Sequence, residues 1–295
     1  MERFFNTTGP CNPERHYMLP AQERLPDLAR WVQRELYFVV HAARQTGKTT
    51  AMMSLAASLR AAGYAAVWAT LEQSQGVDDV ELAESLWIRA IDTWAGLAAV
   101  STHGADDALV GQPVGDRLTS YLRAWAAAEP RPIVLLLDEA DVITGAPLIS
   151  LLRQLRAGFM DRGVGRFPVS VVLIGMRDLR DYLATTKGGA PLNPGSPFNI
   201  KAGSLTLRGF ERDEVAALYA QHTAATGQAF TAAAVDRAHH LTAGQPFLVN
   251  WLAGECVDEL VPDRTHAIDV EHIDAAKDRL ILARTTHIDA LAERL

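Results

Sequence analysis

One stretch constrains this chain more than any other: His41-Ala42-Ala43-Arg44-Gln45-Thr46-Gly47-Lys48-Thr49-Thr50. The strand-like run Leu36-Tyr37-Phe38-Val39-Val40 leads into it, and Met52, Leu55, Ala56 and Leu59 follow at helical spacing. Gly63 stands where a glycine ends such a helix. Strand, tight loop, Gly-Lys-Thr and helix is the order that a phosphate-binding loop requires. Successive loop N–H groups form a concave anion site, and the helix N-terminus adds partial positive charge. Gly47 lets the backbone approach phosphates with no Cβ in the way. Lys48 brings a full charge to the β and γ phosphates, and the Thr49 hydroxyl can ligate Mg²⁺. Arg44, Gln45, Thr46 and Thr50 complete the candidate nucleotide-binding set. The usual pattern opens on a glycine where Ala42 stands here, so either φ is negative at that position or the backbone is mildly strained.

The remainder must build a sheet and helices around that loop. With 48% hydrophobic and 21% charged residues, the 295-residue composition is that of a soluble globular protein. A chain of this size buries about three quarters of its unfolded surface, in one large or two small domains. A net charge of −7 argues against coating nucleic acid by bulk electrostatics and leaves a local patch open. Cys11 and Cys256 make neither a disulfide framework nor a metal spacing, so a reducing cytoplasm is the expected compartment. The N-terminus has no apolar signal core, and no run of about 18 apolar residues is present to span a membrane.

In chain order, residues 1–20 form a polar arm. Its Phe4, Phe5, Tyr17 and Met18 either pack under a nucleotide base or tack the arm onto the core. A short helix is expected over 25–34, then the first strand and the loop. Residues 64–71 read as a second buried strand ending at Glu72 and Gln73, which are either ligand-side or plain loop residues. Helices are expected over 80–98 and 116–127, separated by a polar loop over 101–115. Ile133-Val134-Leu135-Leu136-Leu137 is a strand buried on both faces, as in a parallel sheet, and it ends in Asp138-Glu139. Beside a phosphate loop, Asp138 suits the Mg²⁺ shell and Glu139 suits activation of a water against the γ-phosphate.

Pro147 suits the first position of a helix over 147–160, and another apolar strand covers 169–175. Arg177, just past it, either stabilises charge on the γ-phosphate or pairs with Asp178 or Asp181. Arg162 and Arg166 read as solvated surface charges, with an arginine finger for a neighbouring subunit as the other reading. Residues 184–203 suggest a mobile loop, and 205–207 a short fifth strand. After Gly209 only helices are expected, over 211–226, 231–241, 246–260, 270–282 and one more through Leu295. The domains are therefore set at 1–208 and 209–295. The apolar face of the last helix suggests a chain that continues or meets a partner.

Phosphate loop, Asp-Glu strand, arginine-tipped strand and helical tail together resemble the AAA-like and STAND branch of P-loop ATPases. The likeness is closest to bacterial AAA-like proteins whose loop reads Arg-Gln-x-Gly-Lys-Thr, matched by Arg44 to Thr49. The resemblance implies an α/β fold, a parallel five-stranded sheet in the order 5-1-4-3-2 followed by a helical lid. It implies ATP and Mg²⁺ as cofactors, with Lys48, Glu139 and Arg177 catalytic (Arg177 as sensor 1) and Thr49 and Asp138 on the metal. Gly244-Gln245-Pro246 then looks like the lid's Gly-x-Pro, with Pro246 against adenine. Read without the resemblance, it is a glycine ending one helix and a proline starting the next. The implied activity is ATP hydrolysis coupled to partner remodelling. Alternatives are a slow nucleotide-gated switch and, behind it, a nucleic-acid-dependent ATPase. The protein partner or effector domain is unspecified, and a homo-oligomer is allowed. The string Asp138-Glu139-Ala140-Asp141 also invites a helicase reading, but no second α/β lobe follows. Asn-Lys-x-Asp and Leu-Ser-Gly-Gly are absent, against a GTPase and an ABC-type ATPase. A small-molecule kinase stays open but has no use for Glu139 as a water activator.

Overall fold

A computed structural model describes residues 3–20, 24–162, 167–176 and 201–292. The chain groups into two compact units: Ala21–Arg44 with Lys48–Leu207, and Met1–Pro20 with Gln45–Gly47 and Arg208–Leu295. The first holds a parallel five-stranded sheet of β1 (Tyr37–His41), β2 (Ala65–Thr70), β3 (Ile133–Asp138), β4 (Ser170–Gly175) and β5 (Lys201–Thr206). Their order is β2-β3-β4-β1-β5, which is the expected 5-1-4-3-2 read from the other edge. Helices α1 (Leu28–Gln33), α2 (Lys48–Ala61), α3 (Val80–Leu97), α4 (Arg117–Ala128) and α5 (Gly145–Phe159) accompany it.

Strand alternation sorts the core into two layers. Tyr37, Val39, Ala65, Val67, Ala69, Ile133, Leu135, Leu137, Val171 and Leu173 pack with Trp87, Ile91, Leu122, Trp125 and Leu151 from α3, α4 and α5. Phe38, Val40, Ala66, Trp68, Val134, Leu136, Val172 and Ile174 pack with Leu28, Val32, Met52, Leu55 and Leu59 from α1 and α2. β1, β3 and β4 are the inner strands, buried on both faces, which is why they read as unbroken apolar runs. Asp138 shares the parity of Val134 and Leu136, so it ends β3 on the face that α2 covers.

Two expectations for this unit are corrected. α5 begins at Gly145, so Pro147 is its third residue rather than its first. The first helical turn has no intrahelical partners for its N–H groups, so proline is tolerated throughout it. β5 begins at Lys201, four residues earlier than its apolar residues suggest. It is an edge strand, and Gly203 lies where a Cβ would stand 2.8 Å from the Trp31 ring.

In the other unit, α6 (Arg212–Thr226), α7 (Ala232–Thr242), α8 (Pro246–Gly254) and α9 (Val270–Ala292) are helical as expected, with one correction. The two helices expected after residue 270 are one 23-residue helix, because no proline or glycine interrupts 270–292. α8 runs on into a π-helical turn, Glu255–Leu260. The arm's aromatics join this unit's core. Phe5 sits 4.8 Å from Tyr17 and 5.7 Å from Tyr219, ring centre to ring centre. Gln221 fixes the arm by accepting from Met18 N–H at 3.3 Å and donating to its carbonyl at 2.9 Å.

Candidate functional site

The parallel register brings the C-terminal tips of β1, β4 and β3 side by side. Ala42, one residue beyond β1, is buried and donates its N–H to the Gly175 carbonyl at 3.2 Å. Its φ is negative, so the missing glycine leaves no strain there. The left-handed positions fall instead at Gln45 (φ 60°) and Gly47 (φ 80°). Only glycine takes that conformation without cost, so Gln45 holds a modest backbone strain. Lys48 opens α2 and is 8% exposed; its Nζ donates to the Ala42 and Ala43 carbonyls at 2.9 and 3.0 Å. Burial lowers the pKa of this ammonium against the pull of Glu139, Asp138 and Asp141.

Across the loop, the Thr49 hydroxyl donates to Asp138 Oδ2 at 2.8 Å. The Glu139 N–H donates to Asp138 Oδ1 at 2.9 Å. Burial raises the Asp138 pKa, and the donors on it, Thr49 first, oppose that rise. Glu139 follows with left-handed backbone, φ 56° and ψ 35°. Strain of that kind at a non-glycine residue collects at functional sites. Burial, then the like charges of Asp138 and Asp141, raise the Glu139 pKa. The donor set suits Mg²⁺: a hydroxyl and a carboxylate, both hard oxygen ligands, meet within hydrogen-bond distance. Mg²⁺ keeps several waters and phosphate oxygens, so it needs no all-protein cage. Among the described residues no group of three or more His, Cys, Asp or Glu could hold a metal.

Two residues were not legible as part of this site. Trp68 Nε1 donates to Asp138 Oδ2 at 3.2 Å. The Asp141 carboxylate lies against Gly175, whose added Cβ would stand 2.9 Å from Oδ1. Only strand register reveals either contact. Of the remaining candidates, Arg44 is exposed with Nε 3.2 Å from Met176 Sδ, Thr46 is buried, and Thr50 lies in the first turn of α2. Pro246 opens α8 in the helical unit, behind Gln245 as its capping residue. Arg177, Arg166 and most of 184–203 lie outside the described residues. Arg162 donates to the Glu35 carbonyl and stacks 3.9 Å over the Phe159 ring. Glu35 precedes β1, so Arg162 sits at the end of the sheet away from Lys48.

A family model described as an AAA domain matches residues 32–183, just over half of the chain. No curated protein matches it. Among solved structures, the Walker-type ATPase of Pyrococcus abyssi is similar over 98% of this chain and 80% of its own, with a TM-score of 0.65 and 14% identity. Cdc6p from Pyrobaculum aerophilum gives a TM-score of 0.58 at 13% identity, over 89% of this chain and 68% of its own. The Aeropyrum pernix ORC1 protein, solved in complex with DNA, gives 0.55 at 15% identity, over 90% and 66%. At these identities the likeness is one of fold. No helix among the described residues is long and apolar enough to cross a membrane.

Proposed function

The chain belongs to the AAA domain family, and from that premise we propose that it binds ATP with Mg²⁺ at the Lys48 loop and hydrolyses it. One observation carries the reading. The hydrogen bond from Thr49 to Asp138 joins, at 2.8 Å, two motifs 89 residues apart in sequence. Chance Gly-Lys-Thr and Asp-Glu strings have no reason to meet so, on the same covered face of a parallel sheet.

In this reading the loop amides and Lys48 bind the triphosphate tail, with Arg44, Gln45, Thr46, Gly47 and Thr50 around them. Thr49 and Asp138 hold the Mg²⁺, which when bound neutralises charge developing on the phosphate oxygens. Glu139, its pKa raised by burial and by the neighbouring carboxylates, orients a water and takes its proton. Arg177 is proposed to meet the γ-phosphate and Pro246 the adenine, with the boundary between the nucleotide-binding part and the lid near Gly209. Hydrolysis drives remodelling of a protein partner in the cytoplasm.

Slow turnover, in the manner of a STAND-like switch, is the second reading. Turnover should also be measured with DNA, because the Aeropyrum relative was solved with it. The test is Glu139→Gln in steady-state and single-turnover hydrolysis. Loss of a general base costs about 10²–10⁴-fold in rate. The expected result is a loss in that range with ATP affinity kept. Wild-type protein that turns over no ATP in either regime contradicts hydrolysis. A change in elution volume between ATP and ADP then marks the switch.

A further inference from the structure

β2 reads Ala65-Ala66-Val67-Trp68-Ala69-Thr70, one large ring in a strand of small residues. Trp68 pairs with Leu136 and Thr70 with Asp138, so Trp68 lies diagonally opposite Asp138 on one face of the sheet. A diagonal neighbour is within reach of an aromatic side chain. The indole is 8% exposed, and its ring stands edge-on to Trp94, 4.5 Å between centres and 82° between planes. A buried indole N–H needs an acceptor, and this one is the carboxylate oxygen that Thr49 also uses.

The sharing has a consequence. Asp138 Oδ1 is held by the Glu139 N–H, and Oδ2 by Thr49 and Trp68. A threonine hydroxyl rotates and can accept as well as donate, whereas an indole nitrogen only donates. An ionised carboxylate oxygen only accepts, so the Thr49 hydroxyl donates to Oδ2 and keeps its lone pairs for a cation, while the Trp68 N–H is a second, directed donor that holds Oδ2 in place.

We propose that Trp68 is a positioning residue for the magnesium site, its indole N–H locking the Asp138 carboxylate in the orientation that supports binding of Mg²⁺ with ATP. The inference rests on the nucleotide reading above and adds a residue outside both sequence motifs.

The test measures affinity for a fluorescent ATP analogue with excess Mg²⁺ and with EDTA, in the full chain and in Trp68→Phe and Trp94→Phe. Phenylalanine at 68 keeps a ring and removes the N–H; phenylalanine at 94 alters the same packing and keeps the bond. A hydrogen bond to a charged group is worth a factor of about ten or more. The expected result is an affinity with Mg²⁺ reduced about tenfold in Trp68→Phe, an unchanged affinity in EDTA, and Trp94→Phe like wild type. Two results overturn the inference: Trp68→Phe with wild-type Mg²⁺ dependence, or Trp94→Phe with the same loss. Wild-type protein that binds no nucleotide in either buffer sinks the nucleotide reading and this inference with it. If Trp68→Phe does not fold, indole N–H resonances of ¹⁵N-labelled wild type decide. The Trp68 signal, recognised by its proximity to the Trp94 ring, shifts when Mg²⁺ is added to the ATP-bound protein. A signal that stays in place overturns the inference.

Discussion

Glu139 stands among Asp138, Asp141 and Lys48, and its ionisation is where the chemistry of single residues becomes measurable. Burial and two like charges raise its pKa, while Lys48 opposes them. A base with a raised pKa is protonated, and lost to catalysis, at a higher pH than an ordinary glutamate. Hydrolysis should therefore fall as pH drops through a midpoint above the usual glutamate value. Asp141→Asn removes one of the like charges, so the acidic limb of the profile should move to lower pH. A limb that stays put, or moves up, would mean that Glu139 is not the titrating base. On the alkaline side, the lowered Lys48 pKa implies that nucleotide affinity starts to weaken below the ordinary lysine range. A fluorescence titration of nucleotide across pH measures that limb.

Gly244 shows how an element junction imposes a residue. It takes φ 70° between α7 and α8, and Phe210 N–H donates to its carbonyl at 2.7 Å. An added Cβ would collide with the Phe210 carbonyl oxygen. Gly227, with φ 82° after α6, has open space around it. Alanine in left-handed backbone costs about 1–2 kcal/mol by itself. Gly227→Ala should cost about that in urea unfolding, and Gly244→Ala about 2 kcal/mol more, because the backbone must also shift. Equal losses would show that backbone conformation alone matters at both sites.

Elements of this kind were legible to different depths. The inner strands are legible because burial on both faces demands continuous apolar residues, and the candidates Lys48 and Thr49 are read from a loop that opens a helix, Asp138 and Glu139 from the tip of a strand. The sheet order came from the family resemblance; no local pattern encodes it. Trp68 and Asp141 stayed hidden because their contacts depend on which strands are neighbours and in what register. The start of β5 is not legible, because Lys201-Ala202-Gly203-Ser204 carries little strand preference and is held by pairing with β1.

At the scale of the whole chain, two compact units imply two unfolding events. Phe5 lies within the aromatic cluster of Tyr17, Tyr219, His222 and Phe230. Phe5→Ala should destabilise the helical unit by about 3–5 kcal/mol. Calorimetry should show that transition move down while the transition of the sheet unit stays. A common shift of both would mean that the arm stabilises the chain as a single cooperative block. The central claim is that the Lys48 loop is a site for the triphosphate of ATP, and binding of ATP with Mg²⁺ to wild type and to Lys48→Ala, titrated calorimetrically side by side, tests it most directly. The account predicts saturable one-site binding by wild type and an affinity at least about tenfold weaker in Lys48→Ala, the least that losing a charge-assisted phosphate contact should cost. Equal affinities in the two proteins would contradict it.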